Sequence, residues 1–236
     1  VPATPGGRPR VTWGIGDAIA AWFAGLVVAQ IVLGFGVDPD LPGDLVVVLV
    51  AQDLAIIGWL LGVARRKGVG TLRGDFGFAL LPRDGGIATD VGWLLAGVGL
   101  QVAALLPISL LVAVHGEDAE QNVVNVADRA SGLQVPLIVL AVAVLAPVTE
   151  ELLFRGALLR GLQRRMKPDA AVFVSALVFG LVHFVGDPSI GSLIAFPAIL
   201  LLGLVAGYQA VRTGDLSRSI MLHIGFNSLS AALLFS

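Results

Sequence analysis

Glu150 and Glu151 stand side by side in an apolar stretch, residues 136–159, that is long enough to cross a bilayer. A carboxylate at the centre of a spanning helix costs roughly 2.5–3.5 kcal/mol on insertion scales. Two adjacent acids, with Arg155 one turn after the second, therefore point to a dedicated polar site. On a helix Glu151 and Arg155 are four residues apart and share a face, which predicts an ion pair. Glu150 is rotated by ~100° and is free to face another neighbour. The pattern divides the labour: one carboxylate held charged by arginine, the other poised as a general base or acid. Pro147, three residues before Glu150, lacks an N–H and should kink or loosen the helix there.

Two later apolar stretches each carry a histidine. One reads Phe179-Gly-Leu-Val-His183 and the other His223-Ile-Gly-Phe-Asn227, with His223 and Asn227 one turn apart on one face. At 1.5 Å per residue, Glu150, His183 and His223 lie roughly 12–21 Å from the inner boundary, compatible with one level. A base, two imidazoles and an amide at that level could activate a water and stabilise an oxyanion.

The elements that must position these groups are membrane helices. The 236 residues are 56% hydrophobic and 14% charged, with mean hydropathy +0.90, against about 25% charged in a soluble domain. Seven apolar segments can be read, at residues 13–35, 44–64, 87–114, 136–159, 170–185, 190–211 and 216–235. The fifth is the shortest. The expected fold class is all-α, a polytopic transmembrane bundle of about seven spans with a cytoplasmic N-terminus. It comprises a tail at 1–12 and a single transmembrane domain at 13–236. With no cysteine, disulfides, thiolate metal sites and a cysteine nucleophile are all excluded. Arginine outnumbers lysine 13 to 2, a bias that suggests a GC-rich bacterial genome. Val1 rather than Met opens the chain, so a few residues are expected upstream.

Basic residues set the orientation. With the N-terminus inside, Arg8, Arg10, the 65–83 loop, the 160–167 turn, Arg212 and Arg218 all fall inside, 13 of 15 basic residues. Asp38, Asp40, Glu117, Asp118, Glu120, Asp128 and Asp187 fall outside, with Arg129. The outer loop 117–134 could lie on the surface as a short interfacial helix, and the Gly/Arg-rich inner loop 65–86 reads as irregular. Gly203 and Gly207 suit close helix packing.

Glu-Glu-x-x-x-Arg, then Phe-x-x-x-His, then His-x-x-x-Asn, in order on successive membrane segments, resembles the CPBP family. Its members are type II CAAX prenyl endopeptidases and their bacterial relatives, including bacteriocin-processing and self-immunity proteins. The resemblance covers about residues 136–236. It implies an intramembrane protease in which Glu150 activates water and His183 assists. His223 and Asn227 would hold the oxyanion, Glu151 and Arg155 would order the site, and Phe179 would pack it. A metal-free glutamate mechanism is the expectation, since His-Glu-x-x-His is absent; were zinc bound, Glu150, His183 and His223 would be its ligands. Relatives commonly have eight spans against the seven read here, which bears on the substrate's access path. The implied location is the bacterial cytoplasmic membrane. The expected partners are a membrane-associated peptide or protein substrate, the bilayer and other membrane subunits, with no nucleic acid.

Other readings compete. The same cavity could serve a non-catalytic immunity or accessory protein, and a proton-coupled transporter could use Glu150, Glu151 and Asp53 as a relay, although no repeat symmetry supports it. The acids could also be a structural ion-paired cluster, and the histidines packing or interhelical hydrogen-bonding groups. Gly14-Ile-Gly16-Asp17 matches half of an aspartyl intramembrane protease signature, but the partner motif is missing: the only tyrosine, Tyr208, precedes Gln209. No Gly-x-Ser-Gly supports a rhomboid-like site. Asp17 therefore reads as an N-terminal helix charge. Asp53 sits mid-span with no partner visible in sequence, and His115, at an outer helix end, reads as solvated.

Overall fold

The computed structural model describes residues 11–80, 86–115, 129–186 and 189–235; within these, the side chains at 106–108, 110–115, 185 and 186 lie outside the description. The expected interfacial helix at 117–134 falls largely on residues that are not described, as do the 1–10 tail and Arg83, Glu117, Asp118, Glu120, Asp128 and Asp187. The side chain of His115 is likewise outside the description.

All regular elements among the described residues are helices. They are α1 (Ile15–Gly34), α2 (Pro42–Lys67), the short α3 (Leu72–Phe76), α4 (Gly86–His115), α5 (Gln134–Gln163), α6 (Pro168–Gly186), α7 (Ile190–Thr213) and α8 (Ser217–Leu234). Each of the seven expected spans corresponds to one of the long helices. Five of them, α1, α2, α4, α5 and α7, are long and apolar enough to cross a membrane by length and composition. The other two, α6 and α8, carry the histidines. Helix α8 holds Ser217, Arg218, Ser219, His223, Asn227, Ser228 and Ser230 within 18 residues, which dilutes its apolar character; Ser217, Ser219 and His223 are buried.

Helix α5 is the hub. Half of its most apolar stretch is buried, against about a fifth for α1 and α2, and it packs against α1, α2, α3, α6, α7 and α8. Leu152, Leu153, Phe154, Leu158 and Leu159 join Phe179, Leu202, Ile220 and Leu222 in one core. Helix α5 is not a regular α-helix throughout. Its turns widen to i→i+5 bonding at Ala141–Leu145 and Glu151–Leu159, with a normal segment, Ala146–Glu150, between them. Pro147, the second residue of that middle segment, has no N–H to give, and the loosening expected there occurs in the wide turn just before it. Wide turns often mark functional positions in helices.

Small residues bring the other helices close. On α4 and α8, Gly97 lies against Leu222 O and Gly225 against Leu94 O, so closely that a Cβ at either position would strike backbone. Gly203 and Gly207 of α7 lie on Ala176 and Val172 of α6, the close packing their spacing suggested.

The basic ends gather at one end of the bundle. Lys67 pairs with Asp17 at 2.5 Å, Arg164 donates to Trp13 O at 2.6 Å, and Arg160 donates to Gly214 O at 2.6 Å. Asp17 also accepts from Gly14 N at 2.9 Å, the N-terminal helix role expected of it. Residues 65–80 correct the irregular loop expected there. Thr71 caps α3 by accepting from Gly74 N, and the buried Asp75 carboxylate accepts from Val69 N, Gly70 N and Trp13 Nε1. Gly77, at φ +73°, turns the chain where Arg160 leaves no room for a side chain. A loop rich in glycine and charge is ordered here because one carboxylate collects its free N–H groups.

Candidate active site

Glu151 is the most enclosed carboxylate. Its Oε1 forms an ion pair with Arg155 Nη1 at 2.9 Å and accepts a hydrogen bond from His223 Nδ1 at 2.9 Å, and Glu151 and Arg155 are both 0% exposed. The ion pair read from the four-residue spacing is therefore present, and His223 extends it across to α8. The wide turns of α5 hold both groups toward the interior. Phe179 of α6 seals the cluster: the Arg155 guanidinium lies over its ring at 4.3 Å, and its ring edges meet Phe154, His183 and His223. Aromatic faces attract cations, which gives Arg155 a second partner without hydrogen bonds. This is the packing role expected of Phe179.

Glu150 points elsewhere. Its Oε1 is 3.8 Å from His183 Nε2 and its Oε2 is 3.6 Å from His223 Nε2. The side chains of Glu150 and His183 are 25% and 34% exposed, whereas that of His223 is 2% exposed. The site thus has a sealed part (Glu151, Arg155, His223) and an accessible part (Glu150, His183). The two histidines are oriented through their other ring nitrogens, His183 Nδ1 on Phe179 O at 2.8 Å and His223 Nδ1 on Glu151. A carbonyl and a carboxylate only accept, so each Nδ1 carries the proton and each Nε2 faces Glu150.

Asn227 is placed differently from the other site residues. Its Nδ2 donates to Val142 O at 3.0 Å, a carbonyl in the first wide turn of α5. A change of helical pitch leaves carbonyls short of partners, and the amide supplies one. Asn227 ties α8 to α5 near the site, and one amide N–H remains. What the sequence could not show is the neighbour of Asp53. This buried residue of α2 has the Thr149 side chain and the Glu150 charge as its polar surroundings.

Residues 132–229 match the family model described as type II CAAX prenyl endopeptidase Rce1-like. Over this segment the chain is similar to the Rce1-like family. The resemblance read from three motifs thus meets an independent match over nearly the same residues. Human CAAX prenyl protease 2 is 30% identical over 178 residues, 62% of this chain and 54% of that protein, so the chain spans about half the length of that relative. A 24.3 kDa uncharacterized protein of Escherichia coli is 26% identical over 221 residues, 92% of this chain and 89% of its own. No solved structure matches the chain. Every residue of the Glu150–Glu151–Arg155–His183–His223 cluster falls inside the Rce1-like segment; Asp53 does not.

The donor types would suit a divalent metal: two imidazoles oriented through Nδ1, and a carboxylate. Were an ion bound, Glu150, His183 and His223 would be its ligands; among the described residues no preformed group of three such side chains is found.

Proposed function

We propose that this protein is an intramembrane endopeptidase of the bacterial cytoplasmic membrane, hydrolysing a peptide bond in a membrane-associated peptide or protein. The observation that carries the reading is Glu150, partly accessible and set between two histidine Nε2 atoms at 3.8 and 3.6 Å. Gaps of this size suit a small group held between the partners. A water there donates one hydrogen to Glu150 and a second to His183 Nε2. Its oxygen attacks the scissile carbonyl carbon as Glu150 takes the proton. The oxyanion that forms is met by the remaining N–H of Asn227 and by the Nε2–H of His223, which enters the cycle as an imidazolium between the Glu150 and Glu151 carboxylates and keeps both ring protons throughout. Collapse breaks the C–N bond, and Glu150 returns its proton to the leaving nitrogen. The products are a carboxyl terminus and an amine, so the enzyme ends as it began. Glu151 and Arg155 act through His223, fixing its ring and its Nδ1 proton.

An apolar groove of about 300 Å³ supports a substrate that enters from lipid. It is lined by Ile15, Ala18 and Trp22 of α1, Phe154 of α5, and Val178 and Val182 of α6. Phe154 lines the groove and meets the edge of Phe179, which packs on Arg155, His183 and His223, so two rings in series connect the groove to the polar cluster.

Comparing membrane peptides from cells expressing the parent and Glu150→Ala tests the proposal. One or more peptides should accumulate uncut with the variant, which should still purify as a folded protein. Identical peptide profiles would favour the binding reading, an immunity or accessory protein. Metal dependence has a separate test: dialysis against a chelator should leave cleavage unchanged, whereas loss restored by zinc would make Glu150, His183 and His223 metal ligands.

A further inference from the structure

We infer that Asp53 is a positioning residue of Glu150, linked to it through Thr149, so that α2 contributes a fourth helix to the site. The inference rests on Glu150 being the water-activating carboxylate proposed above. Asp53 lies in the middle of α2, is 6% exposed, and stands in a segment apolar enough to span a membrane. An acid at that depth is expensive unless it is partnered. No basic side chain pays that cost: among the described residues the ion pairs of the molecule leave Asp53 out.

Beside it are Thr149 and Glu150 of the segment Ala146–Glu150, against which α2 packs. Thr149 is fully buried, and its hydroxyl is not bonded to the carbonyl four residues back, the usual recourse of a helical threonine. Three oxygens in this neighbourhood, Asp53 Oδ2, Thr149 Oγ1 and Glu150 Oε2, are buried without a hydrogen-bond partner in the protein. Such groups are rare, and several together call for one shared arrangement. A threonine hydroxyl donates one hydrogen and accepts others, so it can join two carboxylates that would otherwise only repel. Thr149 immediately precedes Glu150, and a hydroxyl pinned by Asp53 fixes the backbone that aims Glu150 at His183 and His223. A sealed pair, Glu151 and Arg155, orders His223 from one side; Asp53 and Thr149 order Glu150 from the other.

The test needs no known substrate. In protein reconstituted into lipid nanodiscs, the carboxyl C=O stretching band of Glu150 is the one that Glu150→Gln removes from infrared pH-difference spectra. Asp53→Asn and Thr149→Val should each shift the frequency of that band, and the double variant should shift it no further than the larger single change. Once a cleaved peptide is in hand, each single variant should lower kcat roughly 10–100-fold with KM unchanged, the scale of lost orienting partners. A Glu150 band at the parent frequency in both variants would overturn the inference. If Asp53→Asn does not fold, Thr149→Val alone decides on the same criterion. Cleavage surviving in Glu150→Ala would instead overturn the protease reading, whatever the band does.

Discussion

At the scale of single residues, two identical side chains one position apart have opposite surroundings. Glu151 is fully enclosed, paired with Arg155 and hydrogen-bonded by His223, while Glu150 is a quarter exposed and faces imidazole Nε2 atoms at distances too long for direct hydrogen bonds. The difference follows from where successive side chains leave a helix. Removing one member of a buried ion pair strands the other charge and costs about 3–5 kcal/mol. Arg155→Met should therefore lower the thermal unfolding temperature in detergent markedly. Combining it with Glu151→Gln should recover part of that loss, because neither charge is then stranded. The Glu151–Arg155 pair was legible from spacing alone. That one His223 ring spans both carboxylates was not, because it depends on how α8 crosses α5, which spacing within a helix does not encode. Asp53 was visible as an anomaly, but its neighbour Thr149 is 96 residues away in sequence.

At the scale of helices, the position of α8 depends on a glycine on each side of its contact with α4. A Cβ at Gly97 would come within 1.9 Å of Leu222 O, and one at Gly225 within 2.0 Å of Leu94 O. Overpacking typically costs about 1–3 kcal/mol, and a clash with backbone belongs at the upper end. Gly225→Val should destabilise the protein to heat and move His223 enough to impair cleavage. Gly99→Val, where nothing lies within 4 Å of the added carbon, serves as the control and should behave as the parent. The helices themselves were readable because apolar length dominates the signal, and all seven segments formed helices. The wide turns of α5 were only partly readable. Pro147 marks the first, whereas the second, at Glu151–Leu159, carries no proline or glycine at its start and reflects the polar groups drawn inward there. Asn227 was likewise visible as a polar group on the face of His223, but its bond to Val142 O exists only because of the first wide turn.

At the scale of the whole molecule, the residues that the positive-inside rule assigns to the cytoplasm meet at one end of the bundle. Asp17 reaches Lys67, Trp13 reaches Asp75 and Arg164, and Arg160 reaches Gly214. At the other end Gly43 lies beside Gln134. Because the chain has no cysteine, single introduced cysteines report on each side cleanly. Lys67→Cys and Arg165→Cys should react with a membrane-impermeant thiol reagent only in inverted vesicles, and Asp40→Cys only in intact spheroplasts. The opposite pattern would place the accessible side of the site toward the outside.

The rate of peptide cleavage by Glu150→Gln in proteoliposomes bears on the central claim most directly, with the peptide that accumulates in the Glu150→Ala cells as substrate. Loss of a general base should lower kcat about 10²–10⁴-fold, while unfolding temperature and peptide binding stay at parent values. Cleavage by that variant at the parent rate would contradict the account.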